Sequence, residues 1–395
     1  MKCFEESRQH DRDVRQLRRG LTLVELLMVI AIIVTLAAVV LPSVKELLKD
    51  QKITQAARQV QSYFETARAR AMATGRPVGV LIDRLSYVNA AAGGTLVTSS
   101  TSLRMSIVEV MPPYAGDIQG ATAKLINNAT PPGSFVNVAL LPTSTCATAS
   151  AIVTAGDLIT FGDNPIPLAI TGVGSYTDGG GVMYTTLSLA NPPPSQVEPI
   201  WMLNGPPLDL PFKIYRKPGK ALSSGVDLPR GICLDLSASG IGPTGRQFSP
   251  DVVAGDMGWT GVAPGDFRGI YIVFDPNGGV QRIYQGMLVG SVVQLGTYLP
   301  SSTIHLLLGK TDQVLPPTLI SPFDGTTILQ GSDVATANLM DPENVWVSIN
   351  PFTGSIYSSV VAAPAVPANP SLFNVATRTL QARQFAIQGV AREGR

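Results

Sequence analysis

The sequence predicts an α+β protein in which a long N-terminal helix is followed by an antiparallel β-rich head. Three observations predict it. Leu21–Leu41 is a continuous apolar run carrying one charge. Val44, Leu47, Leu48, Gln51, Ala57, Val60, Phe64, Ala67 and Ala71 then recur at helical spacing. Beyond Pro77 the texture changes to short β-favouring runs separated by Gly, Pro, Asn and Asp. With 38 Gly and 31 Pro among 395 residues, most of the chain is turn-rich rather than helical.

Composition excludes several function classes. Charged residues are 14% of the chain, against about 25% in typical soluble proteins, and mean hydropathy is +0.22. A net charge of +1 lacks the basic excess of a nucleic-acid binder, so no nucleic-acid partner is expected. His10, His305, Cys3, Cys146 and Cys233 form no zinc-ligand spacing. His305, inside the apolar run Ile304–Leu308, reads as a structural histidine of a buried strand. Cys146 and Cys233 have the chemistry to pair in an oxidising compartment, but spacing alone does not bring their Cα atoms together. Gly172-Val173-Gly174 lacks the third glycine of a dinucleotide fingerprint, since Thr177 stands there, and no phosphate-binding loop motif is present.

The first helix is predicted residue by residue. Met1–Gly20 carries six basic and four acidic side chains, with Arg15, Arg18 and Arg19 nearest its end. About 20 apolar residues span a bilayer as a helix, so Leu21–Leu41 is long enough. Basic residues before the span predict a cytoplasmic N-terminus and a head on the far side. The run exceeds the 7–15 apolar residues usual in a secretory signal peptide, and no small-residue cleavage site follows it. Glu25 is the anomaly: an ionised carboxylate in an apolar layer costs about 2.5–3.5 kcal/mol and calls for a partner. Lys45, Glu46, Lys49, Asp50, Lys52, Arg58, Gln59, Glu65, Arg68 and Arg70 mark the polar face of the second half. The helix is expected to end at Thr74-Gly75, with Pro77 beyond.

These residues carry a family resemblance. Arg18-Arg19-Gly20 followed by Leu21-Thr22-Leu23-Val24-Glu25-Leu26-Leu27 resembles the class III signal of type IV pilins and type II secretion pseudopilins. The resemblance implies cleavage by prepilin peptidase between Gly20 and Leu21, followed by N-methylation of Leu21. Glu25 is then the fifth residue of the mature chain, where the family has its glutamate, and pairs with the Leu21 amine of a neighbouring subunit. Pro42 falls where many members have a helix-kinking proline. Leu21 departs from the family's commonest first residue, Phe. Gly75–Val80, Leu228–Asp235, Ile272–Gly279 and Val347–Tyr357 are similar to head segments of the GspH/FimT-type minor pilins, which identifies a pilin-like fold.

The resulting organisation has five parts. Residues 1–20 are a cleaved leader, 21–42 a transmembrane helix half, and 43–75 an amphipathic half. Residues 76–360 are the β-rich head, with a large insertion at about 83–214. Residues 361–395 are a Pro/Ala linker and a basic tail, which is either a weak amphipathic helix or a frayed terminus. Strands are expected at 77–82, 103–110, 158–161, 183–189, 212–215, 232–236, 270–274, 281–284, 304–308 and 346–349. Asp275-Pro276-Asn277-Gly278-Gly279 reads as a hairpin turn. Asp275 and Asn277 are weak calcium candidates, because no further acidic ligand follows at loop spacing.

No nucleophile–base pair, metal cluster or cofactor motif is visible, so the expected role is structural rather than enzymatic. The resemblance implies a subunit of a type II secretion pseudopilus or type IV pilus, acting in protein secretion or pilus initiation. Its partners are then prepilin peptidase, other pilins or pseudopilins, the inner-membrane assembly platform and the lipid bilayer. Its location is the bacterial inner membrane, single-pass with a periplasmic head, and the filament after assembly. The alternative is a single-pass anchored binding protein that does not polymerise.

Overall fold

The computed structural model describes residues 23–89, 95–129, 135–162, 167–189, 208–222, 225–249, 269–289, 292–314, 337–362 and 375–393. The chain is mixed α+β, with two antiparallel sheets. It divides into two compact units, Met1–Lys52 and Ile53–Arg395, each described by itself.

Helix α1 (Leu23–Thr74) has 52 residues. It stops at Gly75, whose φ of +63° is a conformation that side-chain-bearing residues rarely adopt. From Ile53 onward one face is buried: Ile53, Ala56, Ala57, Val60, Phe64, Ala67 and Ala71. Gln51, assigned to this stripe by spacing, is exposed, and Ile53 and Ala56 occupy the face instead. The side chains of Val44, Leu47 and Leu48 lie outside the described residues, as do those of Lys45, Glu46, Lys49 and Asp50.

Strands β1 (Val78–Asn89) and β2 (Thr95–Glu109) form a hairpin after the helix. Six strands follow: β3 (Thr122–Ala129), β4 (Phe135–Pro142), β5 (Leu158–Phe161), β6 (Leu168–Thr177), β7 (Met183–Leu189) and β8 (Leu208–Tyr215). They close into a barrel in the order β3-β4-β7-β6-β5-β8, with the four-residue helix α2 (Ala149–Ile152) between β4 and β5. The chain then returns to the first sheet through β9 (Gly219–Lys220), β10 (Val226–Asp227) and β11 (Ile232–Ile241). That sheet is completed by β12 (Ile270–Phe274), β13 (Val280–Val289), β14 (Val292–Tyr298), β15 (Ile304–Lys310), β16 (Val345–Ile349) and β17 (Ile356–Val360). Its order is β14-β13-β12-β1-β2-β11-β15-β16-β17, with β9 and β10 also pairing β2. Helices α3 (Val375–Ala382) and α4 (Gln384–Glu393) end the described chain.

The strands β11, β12, β15 and β16 are buried on both faces, which explains their largely apolar sequences. Ile270, Ile272 and Phe274 of β12 join the cluster built on α1, while Tyr271 and Val273 join one on the other side. The second face is covered in two places. Leu158 of β5 packs against Leu81, Val108, Tyr271 and Tyr284. Ala382 and Ala386 of α3 and α4 share a cluster with Leu307, Trp346 and Val361. Strands wetted on one face alternate apolar and polar residues, whereas strands covered twice read as unbroken apolar runs. The barrel has its own core, including Leu141, Ile159, Phe161, Leu187 and Phe212. Both β1 and β2 extend past Asp83 within the first sheet, and the barrel strands begin at Thr122.

Candidate assembly segment and the polar sites of the head

The described apolar segment of α1 runs from Leu23 to Ala38. Its large side chains are exposed, from Leu23 at 78% to Val29 at 45%, with Leu36 at 61%. Sixteen residues at 1.5 Å each give a stripe roughly 24 Å long, and a contiguous exposed apolar surface of that kind marks a protein or membrane contact. Thr35 does not interrupt it, because its hydroxyl donates to the carbonyls of Ile32 (2.8 Å) and Ala31 (3.0 Å). Glu25 lies in the first helical turn, where a carboxylate is favoured by the helix dipole. Among the described residues, no helix is long and apolar enough to cross a membrane. Leu21, Thr22 and the side chains of Val39, Val40 and Leu41 lie outside them, as do Gly20, the leader and the expected cut. Pro42 falls inside the helical span of α1, its side chain again outside the described set.

The head residues singled out by sequence have structural partners. Asp275 and Asn277 lie in the turn between β12 and β13. The Asp275 carboxylate accepts hydrogen bonds from the amides of Asn277 (2.8 Å) and Gly279 (3.0 Å). Among the described residues, no group of three or more His, Cys, Asp or Glu side chains converges as a metal site. Cys146 lies in the barrel core and Cys233 on β11, both buried and free. Burial raises the pKa of each thiol, which keeps it protonated. His305 is buried in β15, with Nδ1 at 2.8 Å from the Ser348 hydroxyl.

Two polar sites escape sequence reasoning. Asp235 is fully buried; its carboxylate accepts from the Ser237 amide (2.9 Å), the Ser237 hydroxyl (2.5 Å) and Asn338 Nδ2 (2.9 Å). Burial raises its pKa, and these hydrogen bonds oppose the shift. Arg383, between α3 and α4, is also fully buried, with its guanidinium carbon 4.8 Å from the centre of the Trp346 ring. For Asp235 the sequence signal was a carboxylate within the apolar run Ile232–Leu236, whereas Arg383, between Gln381 and Gln384, carried none. Both hold elements together and present no reacting group to solvent.

A cleft of about 480 Å³ opens where α1 ends, lined by residues including Arg70, Arg76, Glu109 and Met111. Arg70 and Glu109 face each other across it at 2.5 Å, so their charges are used on one another. Comparison of the chain with known protein families, with curated proteins and with solved structures finds no match.

Proposed function

We propose that the chain is a membrane-inserted, pilin-like filament subunit of the GspH/FimT-type minor pilin or pseudopilin kind. It is processed by prepilin peptidase and assembled into a type II secretion pseudopilus or type IV pilus. The observation that carries this reading is the division of labour along α1. Residues 23–38 expose large apolar side chains around the acidic Glu25, whereas from Ile53 the helix buries a stripe against an antiparallel sheet. The sequence supports the rest: the basic Arg18-Arg19-Gly20 step, a span of adequate length, and a glutamate at the family's offset.

The physical role assigned to Glu25 is register. After the cut, the Leu21 amine is a cation at the membrane edge, and Glu25 of one subunit neutralises that of another. Removing one member of a buried pair typically costs about 3–5 kcal/mol, enough to select one docking register.

Intact mass of the protein from its native host tests the reading. The expected result is loss of Met1–Gly20 and one added methyl group on Leu21. A retained leader, or a cut near Ala37-Ala38, overturns it and favours an anchored binding protein that does not polymerise.

A further inference from the structure

The tail helices seat on the sheet through polar contacts rather than through large apolar side chains. Among the described side chains from Thr377 onward, Arg378, Thr379, Ala382, Arg383 and Ala386 are buried, and none is a large apolar group. Leu380 and Phe385 are instead 43% and 48% exposed. Two alanines contribute little apolar area of their own, so hydrogen bonds give the contact its direction. Trp346 Nε1 donates to the Ala382 carbonyl (2.9 Å), and the Ala362 amide donates to the same oxygen (3.0 Å). Arg383 reaches the carbonyls of Ala238, Gly242 and Gly245.

The receiving site is built by bonds that do not involve the tail. Asp235 pairs with Leu307 and Gly240 with His305, so Leu236–Ser239 bulge opposite Leu306 alone. Ser239 pins the bulge: its hydroxyl donates to the Asp235 carbonyl (2.5 Å) and accepts from the Leu307 amide (2.9 Å). Gln247 Oε1 accepts from the Ile241 amide and Arg246 Nε donates to the Ser237 carbonyl, both at 2.8 Å, which fixes the turn that follows. Gly240 is required by the space, since a Cβ there would stand 2.5 Å from the Gly245 carbonyl oxygen. Three carbonyls are thereby held toward one guanidinium, and the Trp346 ring, 4.8 Å from its carbon, forms the wall. A preorganised set of neutral acceptors beside an aromatic face fits a planar guanidinium, whose donors spread over all three. A carboxylate would meet only acceptors there. The geometry points to a receptor site for an arginine-bearing helix on the second face of the sheet, with α3–α4 as an exchangeable strap that occupies it. The class of occupant is set by the segment seated there. The site belongs to the head, so the inference does not rest on the assembly reading.

A fluorescently labelled peptide of residues 375–393 tests it, added to the detergent-solubilised full chain and followed by anisotropy. Wild type keeps its own strap seated, whereas Arg383→Met leaves the cradle open to the peptide. The peptide should therefore bind the Arg383→Met chain about tenfold or more tighter than wild type, and raise the thermal midpoint of that variant. A peptide that itself carries Arg383→Met should bind neither chain. Amide exchange of the wild-type full chain gives a reading that does not depend on how the variant folds. The amides of α3–α4 should exchange about tenfold or more faster than those of Ile304–Lys310, because the strap opens without the sheet. Equal exchange of strap and β15, equal binding by the two peptides, or no binding of the unaltered peptide to folded Arg383→Met overturns the proposal. The mass of the processed N-terminus is independent of every one of these outcomes.

Discussion

Arg383 keeps its charge inside the head because backbone carbonyls replace its water. Nη1 donates to Gly242 O (2.5 Å), and Nη2 to Ala238 O (2.6 Å) and Gly245 O (2.9 Å). Burial, and then Arg246, lower its pKa to about 9, so it remains a cation at neutral pH. Arg383→Met preserves much of the volume and strands three carbonyls. Urea unfolding should show a loss of about 3 kcal/mol or more. Arg383→Lys should recover only part, since a point charge does not span the three acceptors; equal stability of the Met variant refutes the role. His305, packed edge-to-face on the same Trp346, makes a pH prediction. Burial, and then Arg383, lower its pKa to about 3. The unfolded imidazole titrates near 6.5, so between about pH 6.5 and 3 the unfolded chain binds a proton that the folded chain does not. The contribution is fully present above pH 6.5 and is lost as pH falls through that window, at up to about 1.4 kcal/mol per pH unit. Asp235, with its pKa raised by burial, has the opposite sign: its contribution is present below the unfolded Asp value and lost as pH rises. The difference in stability between wild type and His305→Asn across pH therefore isolates the histidine, and a flat difference rejects the assignment.

The helix–sheet junction depends on one aromatic contact and one missing side chain. Phe64 is wholly buried and meets Phe274 edge-on at 6.4 Å. Phe64→Ala should cost about 3–5 kcal/mol in denaturant unfolding, whereas the neighbouring exposed Glu65→Ala should cost almost nothing. Gly79 lies in β1 opposite Val273, and a Cβ there would come within 2.4 Å of the Ile272 carbonyl oxygen. That neighbour is backbone, so Gly79→Ala should loosen β1 from β12 and speed amide exchange across Ile270–Phe274, leaving the barrel unaffected. The same elements explain what could be read from sequence. Strands such as Ile270–Phe274, Ile304–Leu308 and Trp346–Ile349 were legible because burial on both faces leaves a run that is apolar throughout in the first and interrupted only by the paired His305 and Ser348 in the other two. Strands β3 and β6 were not: Thr122–Ala129 contains Lys124 and two asparagines, and Leu168–Thr177 contains two glycines. Their pairing comes from barrel closure, which local propensity does not encode. The basic tail left helix and frayed end undecided, and the structure resolves it into α3 and α4. What anchors it lies about 140 residues upstream, in carbonyls of the β11 region. Glu25 stands out in the sequence for the opposite reason, since one charge in an apolar run is visible without any tertiary contact, and its role belongs to the proposal.

At the scale of the whole chain, three parts differ in how their apolar side chains are placed. The first part of α1 is apolar and exposed, strands β11, β12, β15 and β16 of the sheet are covered on both faces, and the barrel owns a separate core. On the assembly reading proposed above, such a chain could change its barrel without disturbing the apolar part of the helix. If assembly works through Glu25, the helix must discriminate between a wrong and a right neighbour, and apolar contact alone is non-directional. One buried carboxylate supplies the direction, because only the register that meets a cation avoids the cost of burying it alone. Glu25→Ala removes both that cost and that selection. The variant should insert, lose its leader and fold with an unchanged head, because the buried residues of the head begin at Ile53. It should nevertheless fail to enter filaments beside wild-type subunits in a complementation assay. Glu25→Asp, which keeps the charge but shortens the reach, should enter at reduced yield. Normal incorporation of Glu25→Ala would show that apolar packing sets the register by itself. Loss of processing as well as incorporation would place Glu25 in peptidase recognition rather than in assembly.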